Sequence, residues 1–182
     1  MSRFSSKREK RLWLYTIAVL ISIYSTLGVV RPLAELLRKH DLLEISFIVG
    51  CFMVVLTILT QGLKKRPSKG EIGVMIGVSA VYILMFVRMS IPEERTHLIE
   101  YSIVAILVYE ALNERKKQIR SRYSPALIAI FITTLAGIID EVIQAILPNR
   151  IFDPLDILFN IIAGLMAIGM VTLLVLVRKR LG

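Results

Sequence analysis

A single cysteine, Cys51, among 182 residues excludes an intrachain disulfide and a multi-cysteine metal site. Its apolar setting marks it as an inert packing residue rather than a redox group. Acids are scarce, 14 against 23 lysines and arginines. There is no internal repeat, no low-complexity stretch and no polar run long enough to make a soluble domain, so function has to come from apolar segments and the short loops between them.

What is abundant is hydrocarbon. The chain is 55% hydrophobic with a mean hydropathy of +0.69, more than the core of a soluble domain this size requires. Charges gather in short clusters between long apolar runs, the arrangement needed when helices cross about 30 Å of lipid. Six runs approach the length of a span: Leu12 to Val30, Ile45 to Leu63, Ile72 to Val87, His97 to Leu112, Ala126 to Ile146 and Leu155 to Val177. The third can extend to Ile91 if Arg88 snorkels to the interface. The N-terminal stretch superficially resembles a signal peptide, but its apolar run is too long and lacks a small-residue cleavage site, so it is read as a retained first helix. The expected fold is therefore all-α: a polytopic membrane helix bundle with about six transmembrane helices, forming one integral membrane domain over residues 1–182.

Basic residues set the orientation. With the N-terminus inside, Arg3, Lys7, Arg8, Lys10 and Arg11 share the cytoplasmic side with Lys64, Lys65, Arg66 and Lys69, with Arg115, Lys116, Lys117, Arg120 and Arg122, and with Arg178, Lys179 and Arg180. Only Arg31, Arg38, Lys39, Arg88, Arg95 and Arg150 face outward. This asymmetry places both termini in the cytoplasm. The net charge of +9 is thereby read as topological, and nucleic acid is excluded as a partner. Between the first two spans, Arg31 to Glu44 has a leucine spacing that fits a short amphipathic helix on the outer surface, or an ordinary loop.

An ionisable group at a helix centre costs about 2.5–3.5 kcal/mol on insertion scales, so those within the spans call for explanation. The fifth run holds Asp140, Glu141 and Gln144. Its eleven Leu, Ile, Val and Phe residues supply only about 3–7 kcal/mol of favourable insertion, comparable to the cost of the two acids, which therefore need partners on neighbouring helices. The fourth run opens with His97, Glu100 and Tyr101 at i, i+3 and i+4, one helical face. The sixth opens Asp153-Pro154-Leu155-Asp156 and carries Asn160, again on one face. At ~1.5 Å rise per residue, Asp140 lies ~10 Å and Asn160 ~9 Å inside the outer ends of their helices. These polar stripes share a layer below the outer surface, with Arg95 and Arg150 above as counter-ions, and define an expected outward-facing polar pocket.

Each group also has a structural reading. Asp153 before Pro154 fits an N-cap, with Asp156 at N3 serving the helix dipole. Glu93 and Glu94 fit a solvated first turn, and Glu110 an acid snorkelling to the cytoplasmic basic loop. His97 fits a polar helix end. Asp140, Glu141 and Gln144 fit a buried network with Arg95 or Arg150 that fixes packing.

The run Asp140-Glu141-Val142-Ile143-Gln144, followed by Pro148-Asn149-Arg150, Asp153-Pro154-Leu155-Asp156-Ile157-Leu158-Phe159-Asn160 and Gly164, resembles the VanZ-like family of bacterial membrane proteins. His97-Leu98-Ile99-Glu100-Tyr101 looks like that family's second polar motif. The resemblance covers roughly residues 88–169. Asn149 stands where family members often have Gly, a mild departure because Asn tolerates a left-handed turn. Pro154 replaces an aromatic, preserving the helix start while removing a ring. The family takes its name from a protein associated with resistance to the glycopeptide teicoplanin, so the resemblance implies a cell-envelope role. It does not specify a reaction.

The candidate catalytic residues are Asp140, Glu141 and His97, which offer general acid/base chemistry on a lipid-linked envelope ligand. Glu100, Tyr101, Gln144, Arg150, Asp153, Asp156 and Asn160 are the candidate binding residues, with Arg150 suited to an anionic group. Asp140, Glu141, His97 and Asp156 alternatively offer ligands to a divalent metal, oxygen favouring Mg or Ca and imidazole permitting Zn or Mn. A membrane scaffold or accessory subunit is the competing, non-enzymatic class. Transport ranks last, since acids confined to the outer half provide no path to the cytoplasm. The sequence specifies neither cofactor nor oligomeric state.

Overall fold

The computed structural model describes residues 4–42, 45, 48–49, 68–88, 92–119, 122–148 and 152–181. Among these there is no strand. The described residues include five long helices: α1 (Lys7–Lys39), α2 (Lys69–Arg88), α3 (Pro92–Ile119), α4 (Pro125–Ile146) and α5 (Pro154–Leu181). Isolated residues Ile45, Ile48 and Val49 are also helical, while most of the expected second span lies outside the described residues. Among the described residues, three helical stretches, Lys7–Gly28, Pro125–Ile146 and Pro154–Val177, are long and apolar enough to cross a membrane.

Local sequence fixes where the helices begin. Ser68 and Glu71 form a reciprocal capping box at α2: the Glu71 amide donates to Ser68 Oγ at 3.3 Å and the Ser68 amide to Glu71 Oε2 at 2.8 Å. Ser124 caps α4, accepting from the Leu127 amide, with Pro125 at N1. At α5 the Leu155 amide donates to Asp153 Oδ1 at 2.8 Å, so Asp153 is the expected N-cap ahead of Pro154.

The segment from Arg31 differs from the expected loop or separate amphipathic helix. Helix α1 continues through Pro32 to Lys39, tolerating the loss of one backbone bond that a proline imposes. It stops at a Schellman motif. The Leu42 amide donates to Leu37 O at 2.9 Å and the Asp41 amide to Arg38 O at 3.2 Å, with Asp41 at φ 55° in the left-handed position usually taken by glycine.

The chain divides into two compact units, Met1–Gly28 with Glu93–Val171, and Val29–Pro92 with Thr172–Gly182. The first carries every described candidate site residue. Its core joins Ile23 of α1, Val104, Ala105, Val108 and Leu112 of α3, Ala129 of α4, and Ala167 and Ile168 of α5. Contacts pair Arg8 with Glu110 at 3.1 Å, so the start of α1 meets the end of α3 and the two run antiparallel. Glu110 thus finds a basic partner on the N-terminal tail. Beside it, Glu9 is fully buried, accepting from the amide and hydroxyl of Ser5, both at 2.6 Å, and facing Arg115 at 3.6 Å.

Helix α4 is apolar outside and polar inside. Leu127, Phe131 and Ile146 are exposed, whereas Ala129, Thr133, Ala136, Gly137, Asp140, Glu141 and Gln144 are buried. A soluble domain would invert this pattern. In lipid it is favourable, because large apolar side chains meet acyl chains while small and polar ones permit close helix packing.

Candidate functional site

The polar stripes expected from helical spacing come together within the first unit. On α3, His97 and Tyr101 are buried, and Glu100 between them is half-buried. On α4, Asp140 and Glu141 are fully buried and Gln144 nearly so; on α5, Asn160 is fully buried. Nitrogen Nδ1 of His97 faces Asp140 Oδ2 at 3.5 Å, and Nε2 faces Asp156 Oδ2 at 3.7 Å. The imidazole therefore stands between a fully buried carboxylate and one whose side chain retains 15% exposure. One ligand atom each from His97, Asp140 and Glu141 lies within 4.8 Å of the others.

Donors converge on these acids. The Tyr101 hydroxyl donates to Asp140 Oδ2 at 2.9 Å. Gln144 Nε2 donates to Glu141 Oε1 at 2.9 Å, and the Asp153 amide donates to Glu141 Oε2 at 3.0 Å. Glu141 thereby ties the start of α5 to α4. Asp153 contributes its backbone to the acid and its side chain to the helix cap, so its carboxylate takes the structural role. Arg150 lies outside the described residues, and nothing is described of the Arg95 side chain.

Close packing makes the cluster fit. A Cβ on Gly137 would stand 2.7 Å from Asn160 Nδ2 and 2.9 Å from Asn160 Cβ, so only glycine lets α5 approach α4 here. One turn further along the interface, a Cβ on Gly164 would meet Thr133 Cγ2 at 3.5 Å and Ala105 Cβ at 3.8 Å. Neither polar atom of the Asn160 amide, nor Thr133 Oγ1, has a hydrogen-bond partner among the described residues.

Two participants carry little or no signal in the sequence. Tyr24 of α1 donates its hydroxyl to the Ala136 carbonyl at 2.9 Å, which also receives Tyr101 at 3.3 Å. Ser102 bonds Leu98 O at 2.6 Å and Ala163 O at 3.4 Å. The available signal for Tyr24 was a phenol in mid-span, whose hydroxyl requires an acceptor when removed from water. Ser102 carried none, since a helical serine can satisfy itself on the preceding turn.

Neither the curated proteins nor the solved structures include a match to this chain. A family model described as VanZ/LLP1 matches residues 12–176, well beyond the residues 88–169 that carry the motifs. The match runs from the first residues of the Leu12 to Val30 segment almost to the end of α5 and takes in every polar residue of the cluster. The chain belongs to the VanZ/LLP1 family.

Proposed function

We propose that the chain is a cell-envelope membrane protein that uses the cluster of His97, Asp140 and Glu141 to bind or process the polar part of an amphiphilic envelope molecule, such as a lipid-linked cell-wall precursor. The observation that carries this reading is the burial of an imidazole and two carboxylates, from two different helices, within 4.8 Å of one another. Two adjacent acids in mid-span are costly to insert, and that cost goes with ion, proton or substrate chemistry. His97 has the hydrogen-bonding versatility for proton transfer, and Asp156, which retains exposure, marks the side from which a polar head would enter.

In the proposed topology six spans put both termini in the cytoplasm and the cluster in the outer half of the bilayer. The charge asymmetry supports it. The antiparallel course of α1 and α3 supports it too, because an even number of intervening spans produces that relation. Glycopeptide resistance, teicoplanin in particular, is then the phenotype by which the envelope role would be seen. A deletion strain is predicted to become more susceptible to teicoplanin and to recover with the wild-type chain; unchanged susceptibility on deletion would remove the resistance role.

A non-enzymatic scaffold is the second reading. It is favoured by one observation, that Glu141 accepts from Gln144 and from the Asp153 amide and so secures the α4–α5 connection. On that reading, neutral replacement of Glu141 lowers abundance and thermostability together, with no separate loss of activity.

A further inference from the structure

We propose that His97, Asp140 and Glu141 are the protein ligands of a first-row divalent cation, Zn²⁺ or Mn²⁺. The inference rests on the reading of this cluster as a site and supplies the ion that it would hold. Three ligand atoms within 4.8 Å of one another are brought by small side-chain rotations to the ~3.4 Å separation of tetrahedral ligands about 2.1 Å from an ion. One imidazole with two carboxylates is a mixed nitrogen and oxygen set. The imidazole disfavours Mg²⁺ and Ca²⁺, and the absence of thiolate from the set disfavours soft ions.

The surroundings of each ligand support the assignment independently of their proximity. His97 turns Nδ1 to Asp140 and Nε2 to Asp156, the carboxylate–histidine–metal arrangement in which an outer acid orients the ring and raises its basicity. Tyr101 donates to Asp140, while Gln144 and the Asp153 amide donate to Glu141. The two acids thus have hydrogen-bond donors that fix their orientation, and the imidazole has the Asp156 carboxylate within ion-pair range at 3.7 Å. Asn160 adds a second observation. It is fully buried, one turn from Asp156 on α5, and packs on Gly137, one turn from Glu141 on the same face of α4. Neither of its amide's polar atoms has a hydrogen-bond partner among the described residues. An amide left in that state within a membrane bundle is costly, and a water or ligand oxygen on the ion's open position would satisfy it.

The full-length chain, purified in detergent and stripped with a chelator, would be titrated with Zn²⁺ and with Mn²⁺. Bound metal would be read by mass spectrometry and Mn²⁺ also by electron paramagnetic resonance. The wild type is expected to retain about one ion per chain and to melt at a higher temperature when loaded. Asp156→Asn, which alters only an outer partner, is expected to weaken binding roughly 10- to 100-fold, and Glu141→Gln to abolish it. The lipid-facing control Ile139→Ala keeps it. Failure of the wild-type chain to retain either ion overturns the proposal without requiring any variant to fold, as does undiminished binding by Glu141→Gln. If the wild type binds no ion while Glu141→Gln loses envelope function in cells, the ion is rejected and the site reading stands. If the ion binds and cells expressing Glu141→Gln behave as wild type, the ion stands and the functional reading fails.

Discussion

Asn160 fills the space that a side chain on Gly137 would occupy, with its Cβ 2.9 Å and its Nδ2 2.7 Å from the position of a Gly137 Cβ. The amide end of Asn160 can rotate, but its Cβ is fixed to the α5 backbone, so a methyl group at residue 137 has to push the helices apart. Gly137→Ala is expected to destabilise the protein by about 1–3 kcal/mol, the usual cost of overpacking. Gly164→Ala meets only ordinary contacts, the nearest at 3.5 Å, and Gly169→Ala meets nothing within 4 Å. Both should melt close to wild type in detergent. Equal losses for all three would contradict the packing described.

Tyr101→Phe removes the donor to Asp140 Oδ2 while leaving the ring in place. A buried carboxylate deprived of a hydrogen bond is expected to cost about 1–3 kcal/mol. Tyr24→Phe is expected to cost less, since its hydroxyl donates to a neutral backbone carbonyl, Ala136 O, and not to a carboxylate. Thermal denaturation of the two variants gives the order directly.

At the other end of the unit, two ionic contacts differ in burial. Arg8, 54% exposed, pairs with Glu110 at 3.1 Å and with Glu114 at 3.6 Å, and because the guanidinium itself faces solvent Arg8→Ala should change stability by only about 1 kcal/mol, with the effect diminishing in salt. Glu9→Ala should cost more, because this buried acid accepts two hydrogen bonds from Ser5. Chemical or thermal unfolding at low and high salt would separate the two cases.

Orientation can be read by thiol labelling in a Cys51→Ser background. The proposed topology predicts that Phe152→Cys reacts with an impermeant maleimide in intact cells, whereas Arg122→Cys reacts only after permeabilisation. The reverse pattern would invert the topology.

Most of the cluster was legible in the sequence because helical periodicity alone aligns His97 with Tyr101, and Asp156 with Asn160. Asp140, Glu141 and Gln144 announced themselves by their cost in a span. The N-cap role of Asp153 followed from the proline after it. Less visible was α1, where Pro32 was compatible with a break and neighbouring charges with a loop, yet the helix runs on to the Asp41 turn. Periodicity describes one helix at a time. It could not reveal that Gly137 makes room for Asn160, or that Tyr24 reaches from α1 to the carbonyl of Ala136, because both depend on which helices become neighbours.

The most direct test of the central claim, that the buried cluster is a working site, is teicoplanin susceptibility of the deletion strain complemented with Glu141→Gln or His97→Ala at membrane abundance matched to wild type. The account predicts that neither variant restores resistance although both are folded in the membrane. Full rescue by both at equal abundance would contradict it.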